Sequence, residues 1–191
     1  MVIATDGLSD EQKATAEFQS TYANMTRTLN APGFVEALFA HEAAHLVYYE
    51  MMGPIRYTAL PPRIFYSPER QAFDGHFAAV LVEDEPVCEP HRWQEYVTRM
   101  AHAAVAGGIV GRKLFPASSG GDEGDKARFN KLCVDLTNHF GGISIDVERV
   151  WRQAQDTVTK QLEDDPNIME MIQRRADDIR LEIVKRATEM Q

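Results

Sequence analysis

The pattern His41-Glu42-Ala43-Ala44-His45 combines two residues that bind metals with one that moves protons. On a helix, side chains four residues apart lie on one face about one turn apart, which suits two imidazole ligands of a single Zn²⁺. Glu42 would project beside such an ion, where its carboxylate could take a proton from zinc-bound water. The spacing therefore predicts a zinc site with a general base next to it.

The helix that carries this pattern is predicted to begin near Pro32 and to end at Gly53-Pro54. Both histidines fall on its apolar stripe, whose other members are Phe34, Leu38, Tyr48 and Met52. A buried polar group without a partner costs about 1–3 kcal/mol, and a shared metal would satisfy both imidazoles. The alternative is that both are ordinary core histidines bonded to carbonyl groups, and that Glu42 is solvated.

A catalytic zinc site also needs a third protein ligand and an open position for water. The candidates are the acidic residues of the glycine-rich segment 118–125, namely Asp122, Glu123 and Asp125. Asp125 is favoured because it lies at the entrance of a helix predicted from about Lys126 to Phe140. The alternative for Asp125 is a helix N-cap, since aspartate is a preferred capping residue.

Three segments of the chain together resemble the zinc peptidase domain of the FtsH-type AAA proteases. They are the His41–His45 motif, the small-residue helix over 96–115, and the segment 119–125 before a helix. The resemblance implies that Asp125 is the third zinc ligand beside the two histidines, and that Glu42 is the catalytic base. Ala44 stands where the family has glycine, which adds only a methyl group to a helix.

The resemblance also implies a zincin-like fold and a zinc metalloendopeptidase. The family's ATPase module has no counterpart in these 191 residues, and Gly107–Lys113 lacks the spacing of a phosphate-binding loop, so we interpret it as close helix packing. We therefore expect ATP-independent hydrolysis of peptide bonds in unfolded or flexible polypeptides. One alternative is a catalytically weak or inactive peptidase-like module that binds a protein partner. The other is a helical scaffold in which the motif is accidental.

Residues 1–191 are predicted to form one mainly helical (α+β) domain. An N-terminal helix is expected over 9–30, the zinc-site core over 32–143, and a C-terminal helical pair over 144–191, divided near 164–167. The core includes a helix over 90–114 and a small irregular sheet or hairpin, with strands near 55–60, 63–66 and 76–82 and a turn at Asp74-Gly75. Residues 75–79 could pair with an extended peptide, although an ordinary strand is the favoured interpretation.

The composition restricts which cellular compartment and which kinds of binding partner we expect for this chain. The chain has 20 Lys and Arg against 29 Asp and Glu, a net charge of −9, which disfavours a nucleic-acid partner. No apolar stretch reaches the roughly 18–20 residues that span a bilayer, and Met1–Asp6 does not begin a signal peptide. Cys88 and Cys133 are too few for a secreted disulfide framework. We expect a cytoplasmic protein without a membrane segment, whose partners are a polypeptide substrate and, if one delivers it, a separate protein.

Overall fold

The computed structural model describes residues 19–51 apart from 22, 25 and 29, and residues 57–59, 63–67, 72–76, 79–81, 90–116 and 122–189. Five helices have complete bounds there: α1 (Phe34–Met51), α2 (Trp93–Leu114), α3 (Asp122–Phe140), α4 (Val147–Asp164) and α5 (Pro166–Glu189). Residues 19–21, 23–24 and 26–28 are also helical, while 9–18 of the predicted N-terminal helix lie outside the described residues. The prediction of a mainly helical chain is confirmed.

Four short strands lie between α1 and α2 and pair in two antiparallel ladders. β1 (Tyr57–Ala59) pairs with β4 (Ala79–Leu81), and β2 (Arg63–Ser67) pairs with β3 (Ala72–His76), so the second ladder is nested inside the first along the chain. The predicted turn at Asp74-Gly75 is wrong, because both residues lie within β3, opposite Phe65 and Ile64. A short Asp-Gly signal expresses a local preference only, and cross-strand pairing has overridden it.

The predicted continuous strand 76–82 is also wrong. β3 ends at His76 and β4 begins at Ala79, and residues 77, 78 and 82 lie outside the described residues. Of the segment 75–79, Gly75 and His76 pair with β2, and Ala79 pairs with Ala59 of β1. On the paired edge, the backbone of these three residues is therefore already occupied within the chain.

Helix α1 begins directly after Gly33, whose φ of +79° is a left-handed conformation that glycine adopts without strain. The predicted apolar stripe is wrong in detail. Leu38 is only half-buried and Met52 lies outside the described residues, while the buried positions surround much of the helix. They are Ala37, Phe39, Ala40, Ala43, Ala44, Leu46, Val47 and Tyr48. A helix that is apolar on most sides is buried on most sides, and α1 contacts both α2 and α5.

Helix α2 is preceded by a 3₁₀ turn over Pro90–Arg92 and is the element that α1, α3 and α4 all contact. From Ala101 onward it is lined with small buried residues: Ala101, Ala103, Ala106, Gly107, Gly108 and Gly111. Each glycine lowers helix propensity by about 1 kcal/mol relative to alanine. The close approach of neighbouring side chains, described below, explains why α2 contains three of them.

The C-terminal helical pair is confirmed, and Asp165 separates its two helices. The Asp146 side chain caps α4 by accepting a hydrogen bond from the Arg149 backbone N–H at 3.1 Å. The pair buries apolar residues at helical spacing, namely Trp151, Ala154, Val158 and Leu162 on α4 and Ile168, Ile172, Ala176 and Ile179 on α5. Every helix in the described ranges is too short or too polar to cross a membrane.

Candidate metal centre

His41, His45 and Asp125 meet at one point between α1 and α3. The Nε2 atoms of the two histidines are 3.2 Å apart. The Oδ2 atom of Asp125 lies 3.4 Å from Nε2 of His41 and 3.3 Å from Nε2 of His45. Three potential ligand atoms from residues up to 84 positions apart thus form a nearly equilateral triangle. Among the described residues, this is the one group of three or more His, Cys, Asp or Glu side chains with ligand atoms close enough to share an ion.

The size of the triangle fits a zinc ion. Ligand atoms about 2.0–2.1 Å from a tetrahedral Zn²⁺ lie about 3.3–3.4 Å from one another. The three observed separations, 3.2, 3.3 and 3.4 Å, fall in or beside that interval. Two imidazoles and one carboxylate are also the donor set of many hydrolytic zinc sites, in which a fourth position takes water. The residues present therefore fit this metal in both chemistry and spacing.

A backbone carbonyl orients His45. Its Nδ1 atom donates a hydrogen bond to the carbonyl oxygen of Ala103 on α2, at 2.7 Å. When the ring is neutral, a proton on Nδ1 leaves the lone pair on Nε2, the atom that faces His41 and Asp125. Metal-ligating histidines commonly have such a partner on the second ring nitrogen. Ala103 thus selects the tautomer that a metal requires.

Asp125 is placed by a helix that begins earlier than predicted. α3 starts at Asp122 rather than near Lys126, so 122–125 form its first turn and not a loop. Three acidic residues in that turn stabilise a helix N-terminus, because its unpaired N–H groups carry partial positive charge. Asp125 is therefore inside the helix and not an N-cap. Its side chain is buried, its Oδ2 faces Nε2 of both histidines, and its Oδ1 lies 3.5 Å from Nη1 of Arg128.

The three side chains are strongly coupled electrostatically. Burial lowers the pKa of His45, but the charges of Asp125 and Glu42 and the hydrogen bonds to Asp125 and Ala103 outweigh it and raise this pKa to about 9. Burial raises the pKa of Asp125, but the charges and hydrogen bonds of His45 and His41 hold it well below its usual range. Without a metal, a protonated His45 and an ionised Asp125 therefore form an ion pair at neutral pH.

Glu42 lies on α1 between the two histidines. Burial raises its pKa, and the positive charges of His45, His41 and Arg128 offset part of that effect. A glutamate whose pKa lies above its ordinary value binds a proton more readily than a solvated one. The alternative of a solvated Glu42 therefore does not match its environment, whereas a role in proton transfer does.

The glycines of α2 make room for the site from the opposite side, and we call Gly107, Gly108 and Gly111 the glycine seam. A Cβ atom on Gly107 would lie 2.4 Å from Nε2 of His45 and 2.9 Å from Cδ2 of His41, which real contacts never allow. A Cβ on Gly111 would lie 3.4 Å from Nδ1 of His41, which is close to ordinary contact. The sequence of Gly107–Lys113 indicates close helix packing. In the structure, side chains of α1 and α3 occupy the space that the three glycines leave.

The other candidate residues lie elsewhere. Asp122 forms an ion pair with Arg112 of α2, and Glu123 is exposed. His91 and His139 are exposed, and His102 is half-buried. Cys133 is buried with its thiol pKa raised to about 11 by burial, so it is protonated and inert at neutral pH. The side chain of His76 and residue Cys88 lie outside the described part of the chain.

Sequence reasoning missed three contacts around the site: the Ala103 carbonyl on His45, Arg128 beside Asp125, and the Arg112–Asp122 ion pair. Only Arg128 carried a signal, because it follows Asp125 by three residues and so lies on the same helix face. That spacing recurs on most charged helices, so it does not single out a site. The other two contacts join different helices, and no local pattern encodes them.

Comparisons of the chain with protein-family models, with curated proteins and with solved structures gave no match. The resemblance to the FtsH-type peptidase domain thus depends on the sequence motifs alone. What the chain does is therefore argued from the geometry of its site.

Proposed function

We propose that this protein is a zinc-dependent metallopeptidase with a zincin-like core, which hydrolyses peptide bonds in unfolded or flexible polypeptides without using ATP itself. The observation that carries the proposal is the triangle of His41 Nε2, His45 Nε2 and Asp125 Oδ2, with Glu42 on the same helix as the two histidines. A site that only stabilised the fold would need no general base. A glutamate with a raised pKa between the two histidines favours hydrolysis over a structural role.

His41, His45 and Asp125 would hold the ion, and Glu42 would carry out the proton transfers. Bound Zn²⁺ lowers the pKa of a coordinated water and polarises a carbonyl group. The carboxylate of Glu42 accepts a proton as water attacks the peptide carbonyl carbon, and then gives that proton to the departing amine nitrogen. The hydrogen bond to the Ala103 carbonyl would leave the Nε2 lone pair of His45 available to the ion. Arg128 lies 3.5 Å from the other oxygen of Asp125, so Oδ2 would be the oxygen that holds the ion.

The first experiment is metal analysis of protein purified without chelators. We expect about one zinc per chain, with zinc lost in both His45→Ala and Asp125→Ala. Zinc retained by Asp125→Ala would exclude Asp125 as a ligand. A folded wild-type chain that takes up no zinc would refute the proposal and favour the scaffold alternative.

The second experiment separates catalysis from metal binding. Glu42→Gln should keep its zinc but lose cleavage of a denatured, fluorescently labelled protein, because glutamine cannot take up the proton. Glu36→Gln is the matched control, since Glu36 is an exposed glutamate in the first turn of the same helix. A wild-type chain that binds zinc and cleaves nothing would favour the peptidase-like module that binds a protein partner.

A further inference from the structure

We infer that Asp122 is a positioning residue, which Arg112 and the space left by Gly108 hold in place so that Asp125 points at the two histidines. The inference rests on the proposed metal site and concerns how that site is assembled. His41 and His45 share one helix, and their spacing alone brings them together. Asp125 comes from a different helix, so another contact must fix the rotation and height of α3 relative to α2.

The first observation is the space at Gly108. A Cβ atom at this position would lie 1.4 Å from Oδ1 of Asp122 and 2.6 Å from its Cγ. The Asp122 carboxylate therefore occupies the volume that any other residue at 108 would fill. Because a helical glycine lowers stability relative to alanine, Gly108 needs a compensating role, and accommodating Asp122 supplies one.

The second observation is the charge partner of that carboxylate. Nη1 of Arg112 donates to Oδ2 of Asp122, and Arg112 follows Gly108 by one turn on α2. The two oxygens of Asp122 thus have separate tasks, since Oδ1 fills the space at Gly108 while Oδ2 binds Arg112. Shape and charge both attach the first residue of α3 to the second half of α2.

The third observation links this attachment to the metal ligand. Asp125 follows Asp122 by three residues, so the two side chains lie on neighbouring parts of one helix face. The same stretch of α2 meets His41 and His45 through Gly107 and Gly111. The glycine seam therefore contacts both helices that carry ligands. Gly107 and Gly111 lie against the histidines of α1, and Gly108 lies against Asp122 of α3. Fixing Asp122 fixes the turn that carries Asp125.

Two variants break this attachment in independent ways. Arg112→Gln removes the charge partner, and Gly108→Ala displaces the carboxylate. Alanine at 108 also raises helix propensity, so weaker zinc binding in that variant would not follow from a less stable helix. Two controls match them. Gly124→Ala adds a methyl group in the same turn of α3, where nothing lies within 4 Å. Arg174→Gln removes an arginine from an exposed ion pair with Glu170 on α5.

Three measurements are made on each full-length variant. A chromophoric chelator in competition gives the zinc dissociation constant, and the visible absorption of the Co²⁺-loaded protein reports the ligand geometry. Hydrogen exchange of the metal-free protein reports the first turn of α3, through the amides of residues 126–129, which bond to the carbonyls of 122–125 in a regular helix. This last measurement does not depend on any metal.

We expect zinc to bind about 10–100-fold more weakly to Arg112→Gln and to Gly108→Ala, as for other groups that support metal ligands. The Co²⁺ spectrum should change and amides 126–129 should exchange faster. Both controls should keep the wild-type zinc affinity and Co²⁺ spectrum, and neither should exchange faster at 126–129. Unchanged zinc affinity in either test variant overturns the inference, as does unchanged exchange at 126–129. A wild-type chain without zinc affinity refutes the proposed function instead, and the exchange data alone then decide whether Arg112 and Gly108 hold α3.

Discussion

Gly107 and Gly111 lie one turn apart on α2; both histidines lie beside Gly107, and His41 also lies beside Gly111, but the free space at the two positions differs. A methyl group at 107 would collide with both imidazole rings, whereas one at 111 would come no closer than 3.4 Å to His41. We therefore expect Gly107→Ala to weaken zinc binding strongly and Gly111→Ala to leave it nearly unchanged. The zinc dissociation constants of both variants test this.

The two substitutions are matched, because each replaces glycine with alanine inside the same helix and raises its propensity by about 1 kcal/mol. Any difference between them in zinc affinity must come from the contact with the rings. Equal affinities would mean that the imidazoles can move away from Gly107 and still bind zinc, which would contradict the expectation that a methyl group at 107 disturbs the site.

Single residues also show what the sequence could predict of the site. His41, Glu42 and His45 were identifiable because their chemistry is encoded in a spacing of four along one helix. Asp125 was favoured over Asp122 by its place at the entrance of the predicted helix and by the family resemblance, although α3 in fact begins at Asp122. The structure separates them by their partners, Arg112 for Asp122 and the histidines for Asp125. Such partners come from helix packing, which a linear pattern does not contain.

At the scale of elements, amphipathic helices were predicted best. α4 and α5 each have one apolar face, and their apolar residues at helical spacing, such as Ala154, Val158, Ile172 and Ala176, are buried. α1 was predicted less well because alanines fill several of its buried positions. Alanine is too common on both faces of helices to mark a stripe. The short strands were predicted least well, since their pairing depends on residues far along the chain.

Helix α5 packs against α1 and thereby supports the helix that carries the histidines. Arg175 of α5 also forms an ion pair with Glu50 of α1. Ile172 is completely buried, so we expect Ile172→Ala to lower the free energy of unfolding by about 2–5 kcal/mol through lost burial and a residual cavity. Leu181→Ala, at a position 68% exposed on the same helix, should change it by less than about 0.5 kcal/mol. Urea titration of the metal-free proteins measures both.

Ile172 lies on α5, which carries none of the proposed metal ligands, so we expect its substitution to act on stability alone. At urea concentrations where Ile172→Ala is still folded, its zinc dissociation constant should equal that of the wild type. A weaker zinc affinity in the folded variant would show that α5 also controls the position of α1, and would contradict this separation of roles.

At the scale of the whole molecule, the metal-free and zinc-bound proteins should respond to pH in opposite ways. In the metal-free form, the raised pKa of His45 stabilises the fold fully below pH 6.5, and this contribution disappears as the pH rises through about 9. It amounts to at most on the order of 3 kcal/mol. Asp125, whose pKa is lowered, contributes above its ordinary pKa of 3.8 and loses that contribution as the pH falls. Metal-free stability should therefore decline from pH 6.5 to about pH 9.

Zinc reverses this trend because it binds only neutral imidazole. Below about pH 9 a proton must leave His45 before the ion can bind, so zinc affinity should rise with pH over the same interval. At a fixed excess of free zinc, a tighter site stabilises the folded state more. The free energy of unfolding can be measured by urea titration from pH 6.5 to pH 9, once with zinc and once with a chelator. The difference between the two values should grow as the pH rises.

His45→Gln is the control for both curves, since its side chain does not titrate and cannot bind zinc through an imidazole. Its stability should lose the decline between pH 6.5 and about pH 9 and should no longer respond to zinc. His102 does not interfere, because burial lowers its pKa, so that its titration changes the stability only at pH values below 6.5. A decline that persists in His45→Gln would assign the titration to another group. The ion pair between His45 and Asp125 would then not stabilise the metal-free fold.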